Sequence, residues 1–424
     1  MASNLPRSFE AGPGTLFRVR GPARVEIKEG CAYALGIELH EGESFVIRKD
    51  RVVCVEALES LRALITLGVD GAVEVAKEGE EVIRVWRSLA EKLFSKAARV
   101  MILGEVDSGK STFATILLNT AARQRVKVAF LDEDVGQSDI GWPGTVALAY
   151  AEKPVYWIRD LNPVAVEFIG SATPTGYEAQ VLLATLKLSK KAARESDFVV
   201  VNTDGWVSGV RALNFKLSLV EAVEPDKVVI MRGDGGGSAL KRALEAMGFN
   251  VLEAPSPPAR PKKSRTARRV YRELALASLL MGSRKVKVDL KKAPLINAPI
   301  FMGIRDEELE RTLREAFRIP VLRAERIDNM LVFVTYNRRD ADLLKRVLNE
   351  MAVAAGTVNV AIVTLDSLLN SYVGIYGEQE ALLACGVLRS INLEKGTAYV
   401  EAPLPPDSVV RYMKLGSIKV QPSE

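Results

Sequence analysis

Residues 99–119 read RVMILGEVDSGKSTFATILLN: a short β-compatible run, a glycine, then Gly-Lys-Ser-Thr, then an apolar helical pattern. That order leaves few folds open. Gly104, Gly109, Lys110 and Ser111 fit the GxxxxGK(S/T) pattern, with a strand before it and a helix after it as the pattern requires. The glycines let successive backbone N–H groups turn inward around a phosphate chain, and the helix N-terminus adds partial positive charge. Lys110 reaches toward the β- and γ-phosphates, and Ser111 can ligate magnesium. The expected nucleotide-binding set is Gly104, Asp107, Ser108, Gly109, Lys110, Ser111 and Thr112, and the ligand is a nucleoside triphosphate.

The surrounding pattern extends this reading to a fold. Between about residues 99 and 280 the runs RVMIL, VKVAFLD, VAVEFIG, DFVVVN and DKVVIM alternate with helical stretches such as KSTFATILLNTAARQ and GYEAQVLLATLKLSKKAARES. Continuous apolar runs of this kind suit a parallel sheet covered on both faces. The centre of the chain therefore reads as a doubly wound α/β core built around the P-loop. Upstream, residues 15–75 show short alternating runs that end at turn signals (Glu29-Gly30, Glu41-Gly42, Lys49-Asp50), the pattern of a small antiparallel sandwich or barrel. Residues 80–97 place Ile83, Trp86, Leu89 and Leu93 at helical spacing and predict a connecting helix. After about residue 284 two amphipathic helices are set among strands. The expected organisation is an N-terminal β domain over residues 1–79, a P-loop domain with linker helix and a basic segment over 80–285, and a mostly β domain over 286–424.

Composition excludes several chemistries. The one histidine, His40, lies at a turn edge far ahead of the phosphate loop, which removes Ser-His, Cys-His and multi-histidine metal mechanisms. Cys31, Cys54 and Cys385 are scattered and read as reduced core thiols. A net charge of +5 permits a polyanionic partner without requiring one. No apolar run approaches the roughly 20 residues of a membrane span, and the first residues lack the build of a signal peptide. A cytoplasmic protein is expected, nuclear if the source is eukaryotic. Scarce Gln and Cys beside abundant Lys, Arg and Glu point to a thermophile.

Acid–base chemistry must then come from carboxylates, lysines or the substrate. Asp132 and Asp134, in VKVAFLDEDVGQSDIG, are expected at the end of the strand adjacent to the phosphate loop. There one carboxylate can hold the magnesium shell while the other accepts the proton of an incoming hydroxyl. The alternative is a pair of solvated turn carboxylates. A GTP switch is disfavoured, because VVVNTDGWVSG has no lysine where guanine recognition needs one. Trp206 in that segment lies just past a strand, at the sheet edge where ligands bind. It reads either as a base-stacking platform or as a core tryptophan. Thr173-Pro174, expected to begin a helix, reads as a phosphate clasp or as a plain helix cap.

Taken in order and spacing, GEVDSGKST, DEDVGQSDIG, GSATPTG and VNTDGWVSG resemble the polynucleotide 5′-hydroxyl kinase family, RNA kinases related to the eukaryotic cleavage-factor and ribosomal-RNA-processing kinases. The resemblance covers most of the chain, including the N-terminal β region and SYVGIYGEQEALLACGVLRSINLEKGTAYVEAPLP. It implies ATP- and magnesium-dependent phosphorylation of 5′-hydroxyl ends of RNA or DNA. Lys110 and Ser111 match the family's loop lysine and hydroxyl. Asp134 matches the carboxylate of its Asp-x-Gly-Gln element, with Gln137 alongside. Thr173 and Pro174 match its clasp, and Gly205 and Trp206 its Gly-Trp element.

The basic stretch PKKSRTARR follows a proline-rich hinge and opens a helix. Without context it reads as a solvated face; in a kinase it reads as a lid that brings cations to the transferring phosphoryl group. The family lid carries Arg-Ser-x-x-x-Arg, and KSRTAR matches it with Lys263 in place of the first arginine and Arg268 as the second. Lysine lacks the bidentate fork, so Arg265 and Arg269 are further candidates. The rival reading is an ATP-binding scaffold subunit of an RNA-processing complex with little or no catalysis, its protein partners held by the flanking β domains.

Overall fold

The structure, a computed structural model, describes residues 6–49, 51–233, 237–258, 264–355, 359–378 and 381–421. Contacts divide the chain into two compact units. One comprises Met1–Gly141, Val146–Val166 and Pro174–Arg265, and the other Trp142–Thr145, Glu167–Thr173 and Thr266–Glu424.

A seven-stranded sheet dominates the first unit, in the order Pro163–Phe168, Thr145–Ala151, Val128–Asp132, Phe198–Asn202, Arg99–Gly104, Lys227–Arg232 and Val251–Pro255. From Val128–Asp132 to Val251–Pro255 every neighbouring pair is parallel, as the continuous apolar runs predict. Two features depart from the sequence reading. Thr145–Ala151, which the pattern did not single out, lies antiparallel to Val128–Asp132, so the sheet is mixed. The strand ending at Asp132 does not adjoin the phosphate-loop strand either: Phe198–Asn202 lies between them. Strand order is a long-range property, and nothing in the local run VKVAFLD encodes which strand it pairs with.

The phosphate-loop helix Lys110–Ala122 is buried on nearly every side, with Phe113 through Ala122 all in the interior. A helix apolar all round needs cover on both faces. The sheet supplies one face and the N-terminal β region the other. Asn119 makes the second contact specific, its Nδ2 donating to Leu35 O at 2.6 Å; the same amide also holds Val155, donating to its O at 2.8 Å and accepting its N–H on Oδ1. That N-terminal region is the expected antiparallel sandwich, a four-stranded and a five-stranded sheet closed over Phe17, Val25, Ile27, Leu39, Val55 and Ile65. His40 sits at its turn edge, its N–H bonded to Glu43. The linker helix spans Ile83–Phe94 and buries Ile83, Trp86, Ala90 and Leu93.

In the second unit a six-stranded and a four-stranded sheet are accompanied by helices Glu307–Glu315 and Arg338–Ala355. The strands Met330–Thr335, Asn359–Thr364, Ser371–Tyr376 and Thr397–Ala402 coincide with the expected ones. Helix Arg265–Leu279, the expected lid, packs Leu276 against Phe168, Tyr372, Tyr376 and Cys385 of this unit.

Candidate active site

The phosphate loop leaves the strand Arg99–Gly104 and is held in shape before any ligand is considered. Asp107 and Gly109 have φ values of 59° and 97°, which turn the loop's backbone on itself. A Cβ on Gly109 would lie 2.7 Å from the Trp86 ring, so the linker helix packs directly on the loop and only glycine fits there. Trp86 is fixed in turn by Nε1 donating to Pro255 O at 2.8 Å and by an edge contact with Phe113. Ser256 Oγ donates to Ser108 O at 2.8 Å and ties the last strand of the sheet to the loop. The Lys110 ammonium donates to Gly104 O at 2.9 Å and Glu105 O at 2.8 Å, which curls it back over the loop.

Two observations test whether an anion fits this cradle. Ser108 Oγ is buried without a hydrogen-bond partner among the described residues. The helix that starts at Lys110 has Gly109 as N-cap and takes no side-chain cap hydrogen bond, so its first-turn N–H groups and dipole are left for a ligand. Both features fit the phosphates of a nucleotide. Ser111 and Thr112 stand on that first turn, Ser111 half-buried and Thr112 exposed.

The two aspartates differ in their surroundings. Asp132 is fully buried: Oδ1 accepts Asn202 Nδ2 at 3.1 Å, and Oδ2 accepts Ser138 Oγ at 3.0 Å and Asp139 N–H at 2.6 Å. Burial, with Asp139 and Asp134 nearby, pushes its carboxyl up to about 7. Asp134 accepts the N–H groups of Gly136 and Gln137, each at 2.9 Å and both on Oδ1. Its Oδ2 is left without a hydrogen bond among the described residues. Burial and the Asp204 carboxylate raise its pKa, while the Lys110 ammonium pulls it down. Burial likewise lowers the pKa of Lys110, with Asp134 the foremost group opposing it. Asp134 and Lys110 thus feel each other's charge, although the strand ending at Asp132 lies one strand away from the loop's own.

The Gly-Trp element closes the far side. Thr203 Oγ1 donates to Ile102 O at 2.8 Å, and a Cβ on Gly205 would collide with the backbone and side chain of Val106. The phosphate loop and this turn are therefore in direct contact. Trp206 is half-buried, its ring stacked on Phe215 at 5.9 Å and 29°. It is neither a free platform nor a core residue: one face is supported while part of the ring stays open. Phe215 also floors a shallow groove of about 370 Å³ with Leu182, Arg211, Asn214 and Ser218.

Thr173 and Pro174 do not begin a helix. Helix Glu178–Glu195 starts four residues beyond Pro174, and Thr173 lies exposed in the preceding bend, with its O accepting Ser171 Oγ at 2.8 Å. Pro174 O accepts Tyr177 N–H in the turn that leads into the helix, which delays the helix start. Of the lid residues, Arg268 is half-buried and Arg269 is exposed and ion-paired with Glu273 at 2.7 Å. Lys263 lies outside the described residues.

Sequence reasoning missed a group of three. Lys216, with no exposed side-chain surface, is ion-paired with Glu133 and Asp204. Glu133 stands between the two aspartates that the pattern picked out, and Asp204 lies in the quoted NTDGW segment. An ionisable residue at a core position of helix Val210–Val223 was the available signal.

Known proteins share the motifs and the fold. Residues 104–282 match the family model described as the mRNA cleavage and polyadenylation factor CLP1 P-loop. The polyribonucleotide 5′-hydroxyl-kinase of Pyrococcus furiosus is 26% identical over 328 residues, 77% of this chain and 88% of the relative. That of Thermococcus kodakarensis is 27% identical over 342 residues, 80% and 93% of the two chains. A chain of the solved Clp1p–Pcf11p complex shares the fold with a TM-score of 0.61 at 12% identity, over 98% of each chain. Residues 104–282 thus carry the CLP1-type P-loop, and over about four-fifths of its length the chain is similar to polyribonucleotide 5′-hydroxyl-kinases.

Proposed function

We infer that the protein transfers the γ-phosphate of ATP to the 5′-hydroxyl end of RNA, with DNA as a further acceptor. The observation that carries the reading is Asp134, which makes no hydrogen bond through Oδ2 among the described residues and is the foremost group that favours the charged form of Lys110. A P-loop that only binds nucleotide needs the lysine; transfer to an alcohol also needs a carboxylate to take the proton.

In this reading the loop N–H groups and Ser108 hold the phosphates, and Lys110 meets charge on the β- and γ-groups. Asp134 accepts the proton of the 5′-hydroxyl as the P–O bond forms. Gln137, in the same turn, and the bend at Thr173-Pro174 contact the acceptor strand. Magnesium, when bound, would neutralise phosphate charge, held by Ser111 with Asp134. Asp132, whose oxygens are occupied by Asn202, Ser138 and Asp139, shapes the segment that carries Asp134. We assign the lid role to Arg268, the residue that matches the second arginine of the family's lid pattern. We read the chain as three domains, with RNA-processing partners on the flanking β domains. A solved relative in complex with Pcf11p supports the partner reading.

The test is purified protein with labelled ATP, magnesium and a 5′-hydroxyl oligonucleotide. Label on the oligonucleotide is expected. ATP binding without transfer would establish the scaffold reading instead. Arg268→Ala should lower turnover by about 10²-fold while ATP binding changes little, since a guanidinium is needed most when the phosphoryl group is in flight. A silent Arg268→Ala with a crippling Arg265→Ala would move the lid contact to another position on the helix.

Trp206→Ala should raise the Michaelis constant for the oligonucleotide by the worth of one stacked base, about 1–3 kcal/mol, and leave that for ATP unchanged. Equal weakening of both ligands together with a lower melting temperature would make Trp206 a packing residue.

A further inference from the structure

Helix Val210–Val223 buries Ala212, Phe215, Leu219, Val220 and Val223, and Lys216 sits in the same stripe. A methionine there would pack without desolvating a charge, and replacing a buried ion pair by apolar residues is often neutral or stabilising. Stability alone therefore does not explain the lysine. Its Nζ lies 3.2 Å and 3.4 Å from the two Glu133 oxygens, bonds Asp204 Oδ2, and stands 4.9 Å from the Phe215 ring centroid.

The two carboxylates are themselves engaged with the backbone. Glu133 Oε2 accepts Asp204 N–H at 2.8 Å, and Asp204 Oδ1 accepts Trp206 N–H at 2.5 Å. These bonds set the turn that presents Trp206, but they place two acidic groups side by side in a dry interior. Without a counter-charge at least one of them would have to give up its ionised form or its place. The network joins three segments. Glu133 is the neighbour of Asp134; Asp204 precedes Gly205, which lies on Val106 of the phosphate loop; and Lys216 follows Phe215, on which Trp206 stacks.

We propose that Lys216 is a positioning residue for the acceptor. Its ammonium locks the turn bearing Trp206 to the segment bearing Asp134, so that the stacked base and the proton-accepting carboxylate address one 5′-hydroxyl. The proposal rests on the kinase reading above and adds a fully buried residue to it.

The test is a double-mutant cycle in the full chain, with ATP and a 5′-hydroxyl oligonucleotide. Lys216→Met, alone and combined with Trp206→Ala, is compared with wild type, using the concentration of ATP-binding sites to count folded protein. Lys216→Met should raise the Michaelis constant for the oligonucleotide about tenfold and lower turnover, with that for ATP within about twofold. In the Trp206→Ala background the further rise should be no more than about twofold, because the lysine acts through the tryptophan. If Lys216→Met does not fold, Asp204→Asn takes its place, since it keeps an acceptor for Trp206 N–H and weakens the ammonium bridge. Wild-type constants in the folded variant, or equal effects in both backgrounds, would reduce Lys216 to a packing role and leave the kinase reading intact. Failure of the wild type itself to label the oligonucleotide would overturn both.

Discussion

Lys110→Ala is expected to give a folded protein that transfers no measurable phosphate. The side chain is buried, and among the described residues its ammonium bonds Gly104 O, at the end of the strand that leads into the loop, and Glu105 O in the loop itself. Its removal takes no strand-to-strand hydrogen bond from the sheet and nothing from the apolar contacts of Phe113, Ile116 and Leu117 on the same helix. Alanine is also the better helix former at this position. The catalytic loss should be large, because a preorganised cation aimed at developing charge in a water-poor site contributes several kcal/mol to barrier lowering. A fall in turnover of at least about 10³-fold is expected. The measurement is label transfer at saturating ATP beside a thermal melt of the same sample. A variant that melts as wild type and still transfers phosphate at a near-normal rate would remove this loop from the catalytic centre.

The loop was legible in the sequence because its determinants are local. Gly109 must adopt a φ of 97° against the Trp86 ring, and the helix must begin at the next residue. Both facts are written within a few positions of one another. The sandwich, the linker helix and most strands were legible for the same reason, since each depends on a run of alternating or periodic burial. What escaped depends on partners far apart in the chain. The interposition of Phe198–Asn202 between the loop strand and the Asp132 strand is one case. The antiparallel Thr145–Ala151, an unbroken apolar run like its parallel neighbours, is another. Lys216 escaped because its neutralisation comes from Glu133, 83 positions away, and a lone lysine in an amphipathic helix ordinarily marks the solvent face. Thr173-Pro174 failed as a helix start because proline suits the first helical turn in general. Here the Pro174 carbonyl instead closes a turn to Tyr177.

Asp134→Asn should bind ATP as wild type does and turn over about 10³-fold more slowly. The amide keeps an oxygen for the N–H groups of Gly136 and Gln137, so the turn that shapes the segment survives. What is lost is the capacity to take a proton at Oδ2. The pH dependence makes the assignment sharper. Burial and the Asp204 carboxylate raise the Asp134 pKa, and Lys110 only partly opposes them. Ionised Asp134 is the active form of a base, so wild-type activity should fall as pH drops through a midpoint above the ordinary carboxylate range. Asp132 is pushed up as well, to about 7. Its protonation takes an acceptor from Ser138 Oγ and Asp139 N–H, so it too loosens the segment at low pH. The two contributions separate in the variants. Asp134→Asn should abolish the steep part of the acid limb and leave a shallow one from Asp132. Asp132→Asn, which keeps an oxygen and loses the charge, should weaken activity modestly and retain the steep limb. The decisive measurement is turnover against pH for all three proteins at saturating ATP. A large loss in Asp132→Asn, together with an unchanged acid limb in Asp134→Asn, would make Asp132 the base. That outcome would require its two oxygens to exchange the hydrogen bonds they now make with Asn202, Ser138 and Asp139 for contact with substrate, a rearrangement that should appear as faster amide exchange at Asp139.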